Sequence, residues 1–115
     1  QKAAKAMGRP WELAKGFDGS APCSAIQRAS LADLESFGEL VLTRNGREVQ
    51  RGDWRDMVWS IPALIAEVSR YVRLEAGDLI FTGTPAGVGP VEPGDELVAR
   101  LEGFTEELRL RVVAA

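Results

Sequence analysis

The chain has 115 residues, 45% of them hydrophobic, and its 17 acidic and 14 basic residues give a formal net charge of −3. This length fits one domain, and the apolar content is high enough for a core, which argues against a disordered chain. The balanced charge argues against nucleic-acid binding, and the longest apolar region, residues 57–68, is too short to cross a membrane.

The beginning of the chain predicts a helix. Its first seven residues, QKAAKAM, are good helix formers, and Gly8 followed by Pro10 is typical of a helix end. No initiator Met and no capping residue precede them, so we expect this helix and the protein to extend upstream of Gln1. A short helical turn is predicted over residues 30–35. The single cysteine, Cys23, excludes an internal disulfide, suits a reducing, cytoplasmic compartment and is expected to be at least half-buried.

A β-hairpin is the clearest local signal. Residues 39–44 (ELVLTR) and 47–51 (REVQR) flank Asn45-Gly46, the preferred pair for a two-residue type I′ turn. Because the second strand is polar on both sides of Val49, we expect one of its faces to meet solvent or a partner. An amphipathic helix is predicted next, over residues 61–72, with Ser60 as its N-cap.

The last third of the chain predicts three further strands. The pattern Glu-x-Gly-Asp occurs at residues 75–78 and 92–95, and Asp78 and Asp95 are expected to cap two tight turns. A strand follows each turn, at residues 79–82 and 97–101, and a final strand at residues 107–113 alternates apolar and charged side chains. Several short strands with one central helix indicate an α+β, mostly-β fold.

Two patterns carry possible chemistry. Thr82, Gly83 and Thr84 place a glycine between two hydroxyls after an apolar strand, an arrangement that could hold a carboxylate. The alternative is a strand that ends in a bend, with threonine present for its β propensity. Lys15 precedes a Gly-Phe-Asp-Gly loop and could stabilise an enolate or oxyanion, or it could be an ordinary solvated lysine.

The other polar residues give weaker indications of a functional site. Gln1 could donate to a substrate carbonyl or could simply be a helix residue. The aspartates lack a metal-ligand spacing, and the absence of histidine from the chain excludes Ser/His/Asp and Cys/His nucleophile sets within it. Trp54 and Trp59 are expected to pack inside the protein, whereas their exposure would indicate a dimer surface.

Motifs along almost the whole chain resemble the fumarylacetoacetate hydrolase family. They occur in family order: GRPWELAKGFD at 8–18, NG at 45–46 with QRG at 50–52, IPALIA at 61–66, and GDLIFTGTPAGVG at 77–89 followed by PGD at 93–95. The likeness is strongest to the acylpyruvate and fumarylpyruvate hydrolase branch, which includes hydroxyhepta-dienedioate isomerases and oxaloacetate decarboxylases. It implies a mixed β-sandwich roll, with residues 1–115 as the C-terminal half of a single catalytic domain.

The same resemblance implies roles for individual residues. Lys15 matches the family lysine beside the metal and substrate oxygens, and Gln1 matches a glutamine that contacts substrate. Thr84, with Gly83 and Thr82, matches the strand end that holds the substrate carboxylate. The family's Mg²⁺ or Mn²⁺ ligands and its His–Glu acid/base pair lie upstream of the residue that Gln1 matches, so we expect no metal ligand in this chain.

The resemblance finally implies a homodimeric hydrolase of aromatic catabolism. Its substrate would be an acylpyruvate-type 2-oxo acid such as fumarylpyruvate, cleaved at a C–C bond through a metal-stabilised enolate. Isomerisation of a hydroxyhepta-dienedioate and decarboxylation of oxaloacetate pass through a similar enolate and stay open. Two readings of other classes also stay open, an inactive structural fragment and a small-molecule-binding module without chemistry.

Overall fold

The computed structural model describes residues 2–8, 10 and 15–114, and its strands form one antiparallel sheet. The elements in chain order are α1 (Lys2–Ala6), α2 (Leu31–Ser36), β1 (Glu39–Arg44), β2 (Arg47–Asp53), a 3₁₀ turn (Trp54–Asp56), α3 (Ile61–Val68), β3 (Glu96–Leu101) and β4 (Glu107–Arg111). The strands lie in the order β2-β1-β3-β4. The predicted α+β, mostly-β class is confirmed.

The two faces of this sheet differ in chemistry because side chains alternate along each strand. One face carries ion pairs between exposed side chains, such as Arg109 with Glu96 at 2.9 Å. We call the other the apolar face of the sheet; its rows follow from the pairing register. It consists of Leu40, Leu42, Gln50, Gly52, Leu97, Ala99, Leu101, Leu108 and Leu110, with Arg44 at its edge opposite Leu97.

The core of the described chain is small. Phe37 and Val98 are the buried apolar residues among the described ones, and the Phe37 ring meets Phe104 edge-on, with centroids 5.9 Å apart. The indole N–H of Trp54 donates to the carbonyl of Phe37 at 3.2 Å. Val98 lies on the charged face of the sheet, opposite Thr43 and Arg109. A cavity lies against part of the apolar face.

The predicted hairpin turn is confirmed and is tied to the third strand. Asn45 has φ +51° and Gly46 has φ +77°, the left-handed pair that a type I′ turn needs. The Asn45 side chain accepts from the backbone N–H of Glu96 at 2.9 Å and donates to Asp95 Oδ1 at 2.7 Å. One turn residue therefore anchors the β1–β2 hairpin to the start of β3.

The two Glu-x-Gly-Asp turns have the same geometry, as predicted. Asp78 accepts from the backbone N–H of Glu75 at 2.8 Å, and Asp95 accepts from that of Glu92 at 2.8 Å. The turns differ in surroundings, since Asp95 is only 7% exposed and pairs with Arg44 Nε at 2.8 Å, whereas Asp78 is exposed.

The contacts of Asp95 lead us to expect that the stability of the protein depends on pH. The N–H of Glu92, the amide of Asn45 and the Arg44 guanidinium favour its carboxylate and hold its pKa below the ordinary value of 3.8. A carboxyl with a depressed folded-state pKa stabilises the protein above its unfolded pKa, and this contribution is lost as pH falls through the folded pKa. We expect Asp95→Asn to lower Tm at pH 7, with the gap to wild type closing below about pH 4.

Thermal unfolding at pH 3 to 8 checks this, with Asp78→Asn as the matched control. Asp78 makes the same turn contact from an exposed position, so its substitution should have the smaller effect at pH 7. Equal Tm losses for the two variants, or a gap for Asp95→Asn that does not change with pH, would contradict this role of the buried ion pair.

The predicted helix over residues 61–72 is too long, because α3 ends at Val68. After it, Arg70 and Tyr71 donate to carbonyls only three residues back, and the Ser69 hydroxyl donates to the carbonyl of Ala66 at 2.8 Å. Side-chain competition for a carbonyl favours such a tightened end. Ser60 caps the start of the helix, as predicted, by accepting from the N–H of Ala63.

Four other expectations differ from the structure. Trp59 is 50% exposed instead of packed inside the protein. Residues 79–82 do not form a strand, and Leu79 and Phe81 are 57% and 65% exposed. The final strand ends at Arg111, two residues early. Cys23 is exposed, contrary to its expected burial. In the described part of the chain, no helix is long and apolar enough to cross a membrane.

Candidate active site

Thr82, Gly83 and Thr84 lie together in a segment without regular secondary structure and line a cavity of about 740 Å³. All three residues are exposed. Gly83 has φ +108°, a backbone conformation that side-chain-bearing residues rarely adopt, so the backbone between the two hydroxyls depends on glycine. The structure therefore brings these three predicted site residues to one cavity wall.

The rest of the cavity is mostly apolar. Its floor includes Leu40, Gly52 and Leu101 from the apolar face of the sheet, and α3 contributes Ile61 and Leu64. Aromatic and other residues complete it: Phe37, Trp54, Met57, Val58, Trp59, Pro85 and Phe104. Such a concave, apolar site with a few polar groups at one wall is typical of small-molecule binding.

The segment that carries Thr84 is docked on strand β2. The side-chain amide of Gln50 donates to Thr84 Oγ1 and to the carbonyl of Pro85, both at 2.9 Å. A Cβ at Gly52 would lie 2.8 Å from Pro85 Cβ, and one at Gly87 would lie 2.1 Å from the carbonyl oxygen of Val49. Contacts this close leave room only for glycine at both positions.

Sequence reasoning missed the role of Gln50. Gln50 and Gly52 are two residues apart on a strand, so they share a face. The Gln50 amide can hydrogen-bond to another segment, and the absence of a side chain at Gly52 lets that segment pack closely against the strand. That spacing was the signal that could have found it. It could not say which segment would be received, because Thr84 lies 34 residues further along the chain.

Asp53 also lines the cavity, but its carboxylate is already engaged. The Arg55 guanidinium and the Arg55 backbone N–H donate to it, Nε at 2.7 Å and N at 2.8 Å. These hydrogen bonds lower the pKa of Asp53 to about 2. A carboxyl that is ionised and paired at neutral pH is a poor proton donor, so Asp53 does not fit the role of general acid.

The other predicted site residues lie elsewhere. Lys15 is exposed and is not among the described residues that line this cavity. Gln1 lies outside the described residues. The implied roles of Lys15 beside the substrate oxygens and of Thr84 at the substrate carboxylate would place both at one site, which stays a prediction.

The described residues do not offer a metal site by themselves. Across residues 2–8, 10 and 15–114, no group of three or more His, Cys, Asp and Glu side chains could hold a metal ion. The arrangement that is present can hold an anion through the Thr84 hydroxyl and place an apolar or unsaturated chain against the cavity walls.

The family described as "Fumarylacetoacetate (FAA) hydrolase C-terminal" matches residues 1–113. The chain is 42% identical over 107 residues to the oxaloacetate tautomerase YcgM of Escherichia coli, covering 92% of this chain and 49% of that protein. It is 38% identical over 106 residues to a fumarylpyruvate hydrolase of Ralstonia sp, covering 92% of this chain and 55% of that protein.

Among solved structures, the fumarylpyruvate hydrolase from Pseudomonas aeruginosa in complex with Mn²⁺ and pyruvate is similar, with a TM-score of 0.89 and 39% identity. The match covers 100% of this chain and 49% of that one. The chain thus spans about half the length of the relatives it matches.

Proposed function

Because the chain belongs to the fumarylacetoacetate hydrolase family, matching its C-terminal domain, we propose that it is the C-terminal portion of a single catalytic domain. The enzyme that contains it cleaves a C–C bond in acylpyruvate-type 2,4-dioxo acids such as fumarylpyruvate. The observation that carries this proposal is the Thr82–Gly83–Thr84 segment at the wall of an apolar cavity, with Thr84 hydrogen-bonded to Gln50 of β2, in a chain similar to a hydrolase solved with pyruvate.

In the proposed reaction, the Thr84 hydroxyl donates to the 2-oxo acid carboxylate, and the exposed backbone around Gly83 allows close approach. Water adds to the distal carbonyl, the C–C bond breaks, and its electron pair becomes the enolate of pyruvate. The Lys15 ammonium stabilises the negative charge on the enolate oxygen. Protonation of the enolate carbon then gives pyruvate, and the acyl part leaves as a carboxylic acid.

A divalent cation, Mg²⁺ or Mn²⁺, is part of the proposal, but its ligands are not. The described residues do not fit such an ion, and the relative from Pseudomonas aeruginosa contains Mn²⁺. We propose that the ligands belong to the part of the enzyme that this chain does not contain. Lys15 and Thr84 act in this proposal as anion-stabilising groups, and neither role depends on metal contact.

Oxaloacetate chemistry is the second candidate, because the Escherichia coli relative is named an oxaloacetate tautomerase. Tautomerisation needs the same enolate and the same carboxylate anchor, but it breaks no C–C bond. Incubating the full-length enzyme and Mn²⁺ with fumarylpyruvate should release pyruvate and fumarate in equal amounts. Rapid ketonisation of enol-oxaloacetate without pyruvate release from either substrate would favour the second candidate, and no turnover of either would contradict the enzymatic proposal.

An inactive fragment and a binding module are separated by simpler measurements. We expect the 115-residue chain alone to give no Mg²⁺ binding isotherm, as a portion without metal ligands should. Pyruvate release by the intact protein would exclude a module that only binds small molecules.

Thr84→Val in the full-length enzyme is expected to raise KM for the 2-oxo acid about tenfold, since a hydrogen bond to a charged group is worth about 1.5–3 kcal/mol. The effect should fall mainly on KM, because the contact exists in the ground state as well as the transition state. Steady-state kinetics check it. Thr105→Val, an exposed hydroxyl on the loop between β3 and β4, is the control and should leave KM unchanged; an unchanged KM for Thr84→Val would remove its anchor role.

A homodimer in the cytoplasm completes the proposal. Of the two tryptophans whose exposure would indicate a dimer surface, Trp59 is 50% exposed and Trp54 is half-buried, and Val58 beside Trp59 is 96% exposed. Light scattering on the full-length protein tests the dimer, and a monomer of unchanged activity would contradict it.

A further inference from the structure

The side-chain amide of Gln50 donates a hydrogen bond to the Thr84 hydroxyl oxygen at 2.9 Å. We propose that Gln50 is a positioning residue, which turns the Thr84 hydroxyl into a donor toward the substrate carboxylate. The inference rests on the proposed anchor role of Thr84 and adds a residue to it.

The first step is the orientation of the Gln50 amide. Its Nε2 lies 2.9 Å from the Pro85 carbonyl oxygen, 2.9 Å from Thr84 Oγ1 and 3.5 Å from the Ala86 carbonyl oxygen. A backbone carbonyl is an acceptor only, so the reversed amide would place two oxygens in contact at Pro85. The carbonyl of Pro85 therefore requires the NH₂ group on this side, whatever Thr84 does.

The second step is the count of hydrogens. An amide NH₂ group has two, and the two short contacts take one each. The Thr84 oxygen thus accepts the second hydrogen, and its own proton has to point elsewhere. Thr84 Oγ1 makes no hydrogen bond as a donor to any described residue, and Thr84 is exposed and lines the cavity. The proton is left for an acceptor in the cavity, such as a carboxylate oxygen.

The third step is rigidity. Gln50 is half-buried on β2, opposite Leu42 of β1, and the segment that carries Thr84 approaches the same strand closely at Gly52 and Gly87. The donor is oriented before the ligand arrives, which reduces the cost of ordering it on binding. A hydroxyl that accepts a hydrogen bond is also a stronger donor, because hydrogen bonds in a chain polarise one another.

The experiment measures the dissociation constant of pyruvate by calorimetry, with Mn²⁺-loaded full-length enzyme. Gln50→Met removes both donors and keeps side-chain length. In the wild-type background, we expect Gln50→Met to weaken pyruvate binding about tenfold, which is a typical effect of losing a hydrogen bond to a charged group. In the Thr84→Ser background, which keeps a hydroxyl, the loss should be the same size, and in the Thr84→Val background it should fall below about twofold.

The outcomes separate the two proposals. Suppose that Thr84→Val weakens binding, but that Gln50→Met raises the pyruvate dissociation constant by the same factor with and without the Thr84 hydroxyl. Gln50 then only holds the segment in place, and the positioning role is wrong. If Thr84→Val has no effect, the anchor itself is wrong and the role of Gln50 falls with it. Arg47→Met, exposed on the same strand, is the control and should bind pyruvate normally. If Gln50→Met does not fold, Gln50→Asn, one methylene too short to reach, replaces it.

Discussion

Lys15→Ala in the full-length enzyme is expected to lower kcat by about 100-fold or more, because removing one charge-stabilising group from an enolate or oxyanion costs about 2.7–4 kcal/mol in the transition state. The negative charge develops only as the C–C bond breaks, so the loss should appear in kcat and kcat/KM together. Stopped-flow or steady-state assay of pyruvate release measures it. Mn²⁺ binding, followed by calorimetry, should be unchanged.

Lys15→Arg is the matched variant, since it keeps the charge and changes the shape and reach of the group. It should retain more activity than Lys15→Ala. A near-normal kcat for Lys15→Ala would show that Lys15 is an ordinary surface lysine. Lys15 is exposed and, within the described chain, is not among the residues that line the cavity beside Thr84. The kinetics of Lys15→Ala therefore decide whether Lys15 takes part in the reaction.

Gly87→Ala is expected to destabilise the protein well beyond the usual cost of its backbone conformation. Gly87 and Gly77 have the same φ of +102°, but only at Gly87 would a Cβ meet the Val49 carbonyl oxygen, at 2.1 Å. Strain at such a φ costs about 1–3 kcal/mol for a non-glycine residue. The clash should add about 1–3 kcal/mol, the usual range for forcing a methyl group into a packed site.

Gly77→Ala is the control, because a Cβ there meets no described atom within 4 Å. Urea unfolding of the two variants isolates the clash as the difference in their free energies of unfolding. Gly87→Ala should also raise KM, because relief of the clash moves the segment that carries Thr84 away from β2. Equal destabilisation of both variants, with an unchanged KM for Gly87→Ala, would mean that this docking does not hold the site.

The features that the sequence predicts well are those decided by neighbours in the chain. The Asn45-Gly46 turn needs two left-handed residues in a row, and the structure has them. Asp78 and Asp95 cap their turns through a backbone N–H only three residues away. In each case one or two side chains favour the local backbone, and the long-range contacts of Asn45 and Asp95 add to that preference.

The features that the sequence predicts poorly depend on distant partners. Residues 79–82 have strand-like composition, but a strand also needs a neighbour for its backbone, and the described chain gives them none. The apolar period of α3 continues to Val72, but Val72 is 53% exposed, and without packing the pattern does not extend the helix. The contact of Gln50 with Thr84 is likewise long-range, and no local pattern contains it.

The most direct test is a crystal structure of the full-length enzyme with Mn²⁺ and pyruvate. We expect a pyruvate carboxylate oxygen within about 3.2 Å of Thr84 Oγ1. The Gln50 amide should still donate to Thr84 Oγ1, and the Lys15 ammonium should face the keto oxygen of pyruvate. Pyruvate bound away from residues 82–84, or Thr84 and Lys15 on walls of different cavities, would contradict a single substrate site shared by the two residues.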